Sequence, residues 1–275
     1  MERFQNRLSQ ADPGFRHLIG RVPLQATPPL PPEWLRCEMT ERYEVLRHAP
    51  VLDGATVLEV GSGAHAMSTV PLAWRAGKTG RVIAVERARW SQFRPIVAAV
   101  GLEDRVHPVA GDARRLPLRT NSADFAVCLH GVRSLRGEDN IVRVLREMLR
   151  VSPRVFVAES LPIARTGGQR AHLAMYNLRE DVFSATNGIR DDLPYLPLDQ
   201  LEALVVTAGG VVEQTESLEV DLPHFLAYFP RSLAAAVPNE DQRATLLKRW
   251  DEAEAMRQRY GEDHPPVGIV TASRA

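Results

Sequence analysis

Between Ala55 and Ala158 five short runs rich in β-branched residues follow one another, most of them separated by segments with apolar residues at helical spacing. The runs Ala55–Val60, Arg81–Glu86, Arg105–Ala110, Phe125–Leu129 and Arg154–Ala158 read as strands, and 69–76, 90–100 and 141–149 as helices. Strands spaced by helices cannot pair as hairpins. They need crossovers, which cover both faces of a parallel sheet. Two later strands, Val211–Val220 and Pro266–Ala272, bring the expectation to an α/β, doubly wound, mostly parallel seven-stranded sheet with helices on both faces.

The flanking regions read differently. Residues 1–22 mix polar and apolar types, and Pro23–Pro32 holds five prolines, which suit an extended connector. Glu33–His48 reads as an amphipathic helix with Trp34, Leu35, Met39, Tyr43 and Leu46 on its buried face. Beyond Glu159 come helices near Gln169–Ala185, Leu198–Thr207 and Glu240–Tyr260, and an aromatic-rich segment from Leu222 to Val237. The expected organisation is an N-terminal arm and cap helix (1–50), a ligand-binding core (51–160), and the rest of the same domain with helical cap insertions and terminal strands (161–275).

Composition removes several function classes. Thirty-four basic residues balance 34 acidic ones, which leaves no broad footprint for nucleic acid or an anionic membrane. Cys37 and Cys128 are the only cysteines, too few for a disulfide framework or a cysteine zinc site, and no metal ligand set is read from the sequence. No apolar run approaches the roughly 20 residues of a membrane span, and the charged amino terminus has no signal-like stretch. A cytoplasmic protein acting on a small molecule is expected, with homodimerisation left open.

The chemistry-bearing feature is where the first strand runs into Glu59-Val60-Gly61-Ser62-Gly63-Ala64-His65-Ala66 and then a helix. Glycines there permit a tight turn, and the helix start offers unpaired N–H groups to a ligand. Glu86 ends the second strand, where a carboxylate can accept from two ribose hydroxyls. Gly61-x-Gly63-x-x-Ala66 also satisfies the dinucleotide fingerprint, so a nicotinamide oxidoreductase is a competing reading. It fares worse: Glu59 stands where that turn packs apolar residues, Gly111-Asp112-Ala113 has no role in it, and neither Lys78 nor Lys248 follows a tyrosine by four.

At these residues the chain resembles the class I S-adenosylmethionine-dependent methyltransferases, in the small-molecule, type 11 pattern. Glu59, Gly61 and Gly63 match the first motif, with His65 in place of its last glycine. Val82–Glu86, Gly111-Asp112-Ala113 and Asn121–Phe125 continue the likeness in order, over roughly Leu52–Glu159. The resemblance implies a Rossmann-like fold and S-adenosyl-L-methionine as cofactor. Glu59 and the backbone of Gly61, Ser62 and Gly63 would hold its methionine part, with His65 beside them. Glu86 and Arg87 would lie at the ribose, Asp112 at the adenine amino group, and Ala113 and Leu129 would line the pocket.

Methyl transfer from a sulfonium needs in-line approach and, for some acceptors, a base. His130, just after the fourth strand, is the candidate. His172 and Tyr176 share a helix face, Arg133 and Arg136 could meet an anionic acceptor, and Arg143, Arg146, Arg150 and Arg154 read as a solvated face. Aromatic residues in the variable parts favour a small apolar or aromatic acceptor. A methyltransferase-like protein that binds a nucleoside or a partner without turnover is the alternative.

Overall fold

The computed structural model describes residues 2–22, 32–50, 52–87, 90–188, 195–224 and 227–275. Of the expected connector Pro23–Pro32, residues 23–31 lie outside them, and Pro32 is the first residue of a helix. The strands are β1 (Thr56–Val60), β2 (Arg81–Glu86), β3 (Val106–Ala110), β4 (Phe125–Leu129), β5 (Arg154–Ser160), β6 (Gly210–Leu218) and β7 (Val267–Arg274). They form one seven-stranded sheet in the order β3-β2-β1-β4-β5-β7-β6. Neighbouring strands among β1 to β5 pair in parallel, and β7 runs antiparallel between β5 and β6. The expected Rossmann-like doubly wound fold is therefore the fold of the chain.

Alternate residues of each strand enter different cores, as a two-residue period requires. Val57, Val127 and Phe156 pack with α4 (Thr69–Arg75), α5 (Trp90–Ala99) and the N-terminal helices. Leu58, Cys128 and Val157 pack on the other face against α6 (Glu138–Val151) and α8 (Leu198–Thr207). A third cluster joins α7 (Gly167–Asn187), α9 (Arg231–Ala235) and α10 (Glu240–Tyr260) through Tyr176, Tyr195, Phe229 and Trp250.

Two findings depart from the sequence reading. Residues before the connector form α1 (Glu2–Gln10) and α2 (Pro13–Gly20), the latter capped by Asp12, whose Oδ1 accepts from Gly14 N–H and Phe15 N–H. They hold by packing: Phe4, Phe15 and Ile19 are fully buried, and the Phe15 ring stacks on Tyr43 at 4.1 Å. The other departure is α3 (Pro32–Leu46), expected to be amphipathic. All six residues from Cys37 to Arg42 are buried, so its polar side faces the protein interior.

Candidate active site

The strand order reverses between β1 and β4, and open α/β sheets bind ligands at the carboxyl ends of the strands beside such a point. Here the glycine loop after β1 meets the turn after β4: a Cβ built on Gly61 would lie 4.0 Å from the Gly131 Cα. Gly61 and Gly63 take φ of 78° and 65°, in the left-handed region that favours glycine. Nothing lies within 4 Å of a Cβ built on Gly63, which leaves open space above the loop. Position 65 has no such requirement, because the third left-handed residue of this stretch is Ala66 at φ 50°. Histidine in place of the motif glycine is thus accommodated without backbone strain, and its side chain is half-buried.

Glu59 is 1% exposed; its Oε2 accepts from Thr69 Oγ1 at 2.6 Å, while Oε1 has no hydrogen bond among the described residues. Burial pushes its carboxyl up to about 8; the Thr69 hydrogen bond opposes the shift and the nearby Glu86 charge adds to it. Ser62 is buried, and its Oγ also has no hydrogen bond among the described residues. Glu86 reaches over the loop, its Oε2 accepting from Gly63 N–H at 3.3 Å and its Oε1 from Arg87 N–H at 2.8 Å. The Arg87 side chain is exposed.

Asp112 lies further out. Its carboxylate is 39% exposed and accepts from Arg114 N–H at 2.9 Å and from the Arg114 guanidinium at 2.6 Å, which holds its pKa at about 2. Ala113 is half-buried and packs on the α6 side of the sheet, and Leu129 is buried at the end of β4. Arg146 and Arg150 bond Thr207 O and Glu147 as a tethered face of α6, whereas Arg154, expected on the same face, begins β5 and pairs with Glu213.

His130 takes φ 51°, uncommon for a residue with a Cβ, and its N–H is fixed to Ala158 O at 2.8 Å. This turn carries the ring under α3, where only 5% of the side chain is exposed. Nε2 lies 3.0 Å from Glu41 Oε1 and Nδ1 lies 3.4 Å from Ser160 Oγ. Burial lowers its pKa to about 4, against the pull of Glu41, so the ring is neutral near pH 7. A neutral ring donates Nε2–H to the carboxylate and leaves Nδ1 to accept from Ser160.

Glu41 belongs to a larger buried polar cluster, most of which sequence reasoning missed. Arg42 bonds Glu38 Oε2 at 2.5 Å and Glu41 Oε2 at 2.8 Å, and all three side chains are buried. Burial works to raise Glu41, but the His130 and Arg42 charges outweigh it and hold its carboxyl at about 2. His224 Nδ1 lies 2.7 Å from Glu38 Oε1, and His264 Nε2 lies 3.6 Å from Glu38 Oε2. Beside them His172 Nε2 lies 2.8 Å from Tyr195 OH, and the Tyr176 and Tyr195 rings stack at 4.3 Å under the Arg133 guanidinium. The expected shared face of His172 and Tyr176 is therefore an inward one. The one signal for Glu38, Glu41 and Arg42 is their spacing in α3: i, i+3 and i+4 put three charges on one stripe together with buried Leu35 and Val45.

Comparison with known proteins bears on the fold and the domain type. Residues 58–154 match the family described as a methyltransferase domain. A cyclopropane-fatty-acyl-phospholipid synthase-like protein from Lactobacillus casei superposes with a TM-score of 0.71 at 15% identity, covering 94% of this chain and 98% of its own. A SAM-dependent methyltransferase from Aquifex aeolicus gives 0.53 at 16% identity, over 87% and 93% of the two chains. The cyclase SpnF gives 0.53 at 18%, over 85% and 80%.

Residues 58–154 are thus similar to a methyltransferase domain, set in a fold shared with S-adenosylmethionine-dependent methyltransferases. The family of that matched domain normally uses S-adenosylmethionine. Among the described residues no helix is long and apolar enough to cross a membrane.

Proposed function

We propose that the protein is an S-adenosylmethionine-dependent methyltransferase acting on a small acceptor. The observation that carries this reading is the cradle after β1: left-handed glycines under open space, the partnerless Glu59 Oε1 and Ser62 Oγ beneath, and the Glu86 carboxylate at its rim. These groups suit a ligand that is cationic at one end and carries a diol at the other. Glu59, Gly61, Ser62 and Gly63 would hold the methionine part, Glu86 the ribose, and Ala113 and Leu129 the adenine pocket. Asp112 has its carboxylate engaged by Arg114, and would share it with the adenine amino group. When bound, the cofactor supplies an electrophilic methyl group; the protein's part is to orient the acceptor, exclude water and accept a proton.

Calorimetry with S-adenosylmethionine, its demethylated product and a nicotinamide dinucleotide tests the reading. Binding of the adenosyl compounds alone is expected, and binding of the dinucleotide alone would overturn it. Glu86→Ala should weaken adenosyl binding by about 1–3 kcal/mol, the usual scale for a charged hydrogen-bond partner. Unchanged affinity in a folded variant would take Glu86 out of the site.

For the transfer step we assign the proton-accepting role to His130, backed by Glu41. Neutral near pH 7, the ring has a lone pair at Nδ1 that Ser160 Oγ meets only at 3.4 Å, so an acceptor hydroxyl or amine could displace that contact. Arg133, whose charge reaches His130, also lies over the stacked Tyr176 and Tyr195 rings, and these aromatic surroundings favour a flat aromatic acceptor. With an acceptor found, His130→Ala and His130→Asn should lower turnover by about 10²–10⁴-fold at unchanged cofactor affinity. Near-native rates in both would leave positioning as the whole mechanism.

One observation favours a second reading: both His130 nitrogens are within contact of protein groups and the ring is almost wholly buried. A protein that binds the nucleoside without turnover would look the same. Absence of demethylated product across an acceptor panel, with tight cofactor binding, would select it.

A further inference from the structure

We propose that Glu38, His224 and His264 form a binding site for a divalent first-row transition ion of the zinc type. The site adjoins His130, whose ring centroid lies 6.3 Å from that of His264, but the proposal does not depend on the methyl-transfer reading. Its three donors come from distant parts of the chain: α3, the loop after β6, and the loop before β7. Their ligand atoms all lie within 4.8 Å of one another. Every one of the three residues is buried, at 0%, 4% and 1% exposure.

The backbone arranges the two histidines deliberately. Pro223 and Asp263 form an isolated antiparallel bridge, with His224 N–H donating to Glu262 O and His264 N–H to Leu222 O. Residues on either side of a bridged pair project to the same face. His224 and His264 accordingly project together toward α3, their ring centroids 3.9 Å apart.

An independent observation points to a ligand. Among the described residues neither nitrogen of His264 has a hydrogen bond, and Nε2 meets only Glu38 Oε2 at 3.6 Å, although the residue is 1% exposed. Buried polar atoms are nearly always hydrogen-bonded, and an imidazole without a hydrogen bond beside a buried carboxylate has the makings of a ligand pair. Two imidazoles and one carboxylate suit Zn2+, Fe2+ or Co2+ rather than the all-oxygen preference of Mg2+ or Ca2+. Donors at about 2.0–2.2 Å from an ion sit closer together than these do, so binding asks for convergence of about 1 Å.

The surroundings supply the support that metal ligands need. Arg42 bonds Glu38 Oε2, Gln169 Nε2 donates to His264 O at 3.0 Å, and the His172 ring lies 4.3 Å from that of His224. Three protein ligands would leave a further position for an outside donor, as catalytic zinc sites do. An ion here would also fasten α3 to the loops before β7.

The test uses the full chain without an affinity tag, stripped with chelator and then titrated with Zn2+ or Co2+. We expect one ion retained per chain after gel filtration, a rise in Tm, and visible ligand-field absorption with Co2+. His224→Ala and His264→Ala should each abolish stoichiometric retention. His172→Ala should keep the stoichiometry and lose about 10–100-fold in affinity, the scale of a supporting residue. His17→Ala, on the exposed face of α2, should change nothing. If either alanine variant fails to fold by circular dichroism, Glu38→Gln takes its place with the same expectation. Substoichiometric retention by the native chain with unchanged Tm would overturn the proposal, as would undiminished binding in the folded ligand variants.

Discussion

Replacing Arg42 with methionine is expected to destabilise the fold by about 3–5 kcal/mol, the cost of breaking a buried ion pair from one side. The guanidinium is 5% exposed and bonds two carboxylates that are themselves fully buried, Glu38 at 2.5 Å and Glu41 at 2.8 Å. Its Nη1 also donates to Glu38 O at 3.2 Å. Methionine fills much of the same volume, so the loss measures stranded charge more than a cavity. The corollary separates these causes: adding Glu38→Gln and Glu41→Gln to Arg42→Met should recover most of the loss, since neutral groups of similar shape carry little desolvation cost. Urea denaturation of the single and triple variants reads both. A loss below about 1 kcal/mol in the single variant would mean that water reaches the carboxylates.

The sheet was legible because its evidence is local. Arg81–Glu86, Phe125–Leu129, Leu198–Thr207 and Glu240–Tyr260 begin and end where periodicity and β-branching place them. Glu59, Gly61, Gly63 and Glu86 were legible for the same reason: a strand end and a tight turn fix their relative positions within a few residues. What periodicity could not supply was the cap. The short helices α1 and α2 hold by burying Phe4, Phe15 and Ile19 against the rest of the core, a tertiary effect with little local signal.

The polar cluster was hidden by a different rule. Charged residues in a helix are read as its solvent face, and Glu38, Glu41 and Arg42 follow that reading in composition while violating it in place. Glu38 and His224 are 186 residues apart in sequence and 2.7 Å apart in space. Only the fold joins them. The place of His130 after β4 is legible in the sequence, yet the partner that fixes its tautomer, Glu41, sits in a helix whose pattern signals only packing.

Glu59 gives the other large effect, and it appears as a dependence on pH. The folded carboxyl is pushed up to about 8 by burial, whereas an unfolded glutamate titrates near 4.3. Between those values the folded chain holds a proton that the unfolded chain lacks. The resulting stabilisation is complete below about pH 4.3 and is lost as pH rises through about 8, on the order of a few kcal/mol over the window. Glu59→Gln keeps the shape and removes the titration. Its stability should match the native chain near pH 4 and exceed it at pH 8–9, provided Thr69 Oγ1 keeps its acceptor. Parallel stability curves for the two proteins would show that the carboxyl is solvated. A cationic ligand over the same group reverses the argument, since it favours the ionised carboxylate. Binding of S-adenosylmethionine near pH 7 should therefore expel the Glu59 proton, seen as a calorimetric enthalpy that changes with the ionisation enthalpy of the buffer. In Glu59→Gln that buffer dependence should vanish and affinity should fall by about 1.5–3 kcal/mol. Equal proton release in both proteins would place the positive end of the cofactor elsewhere.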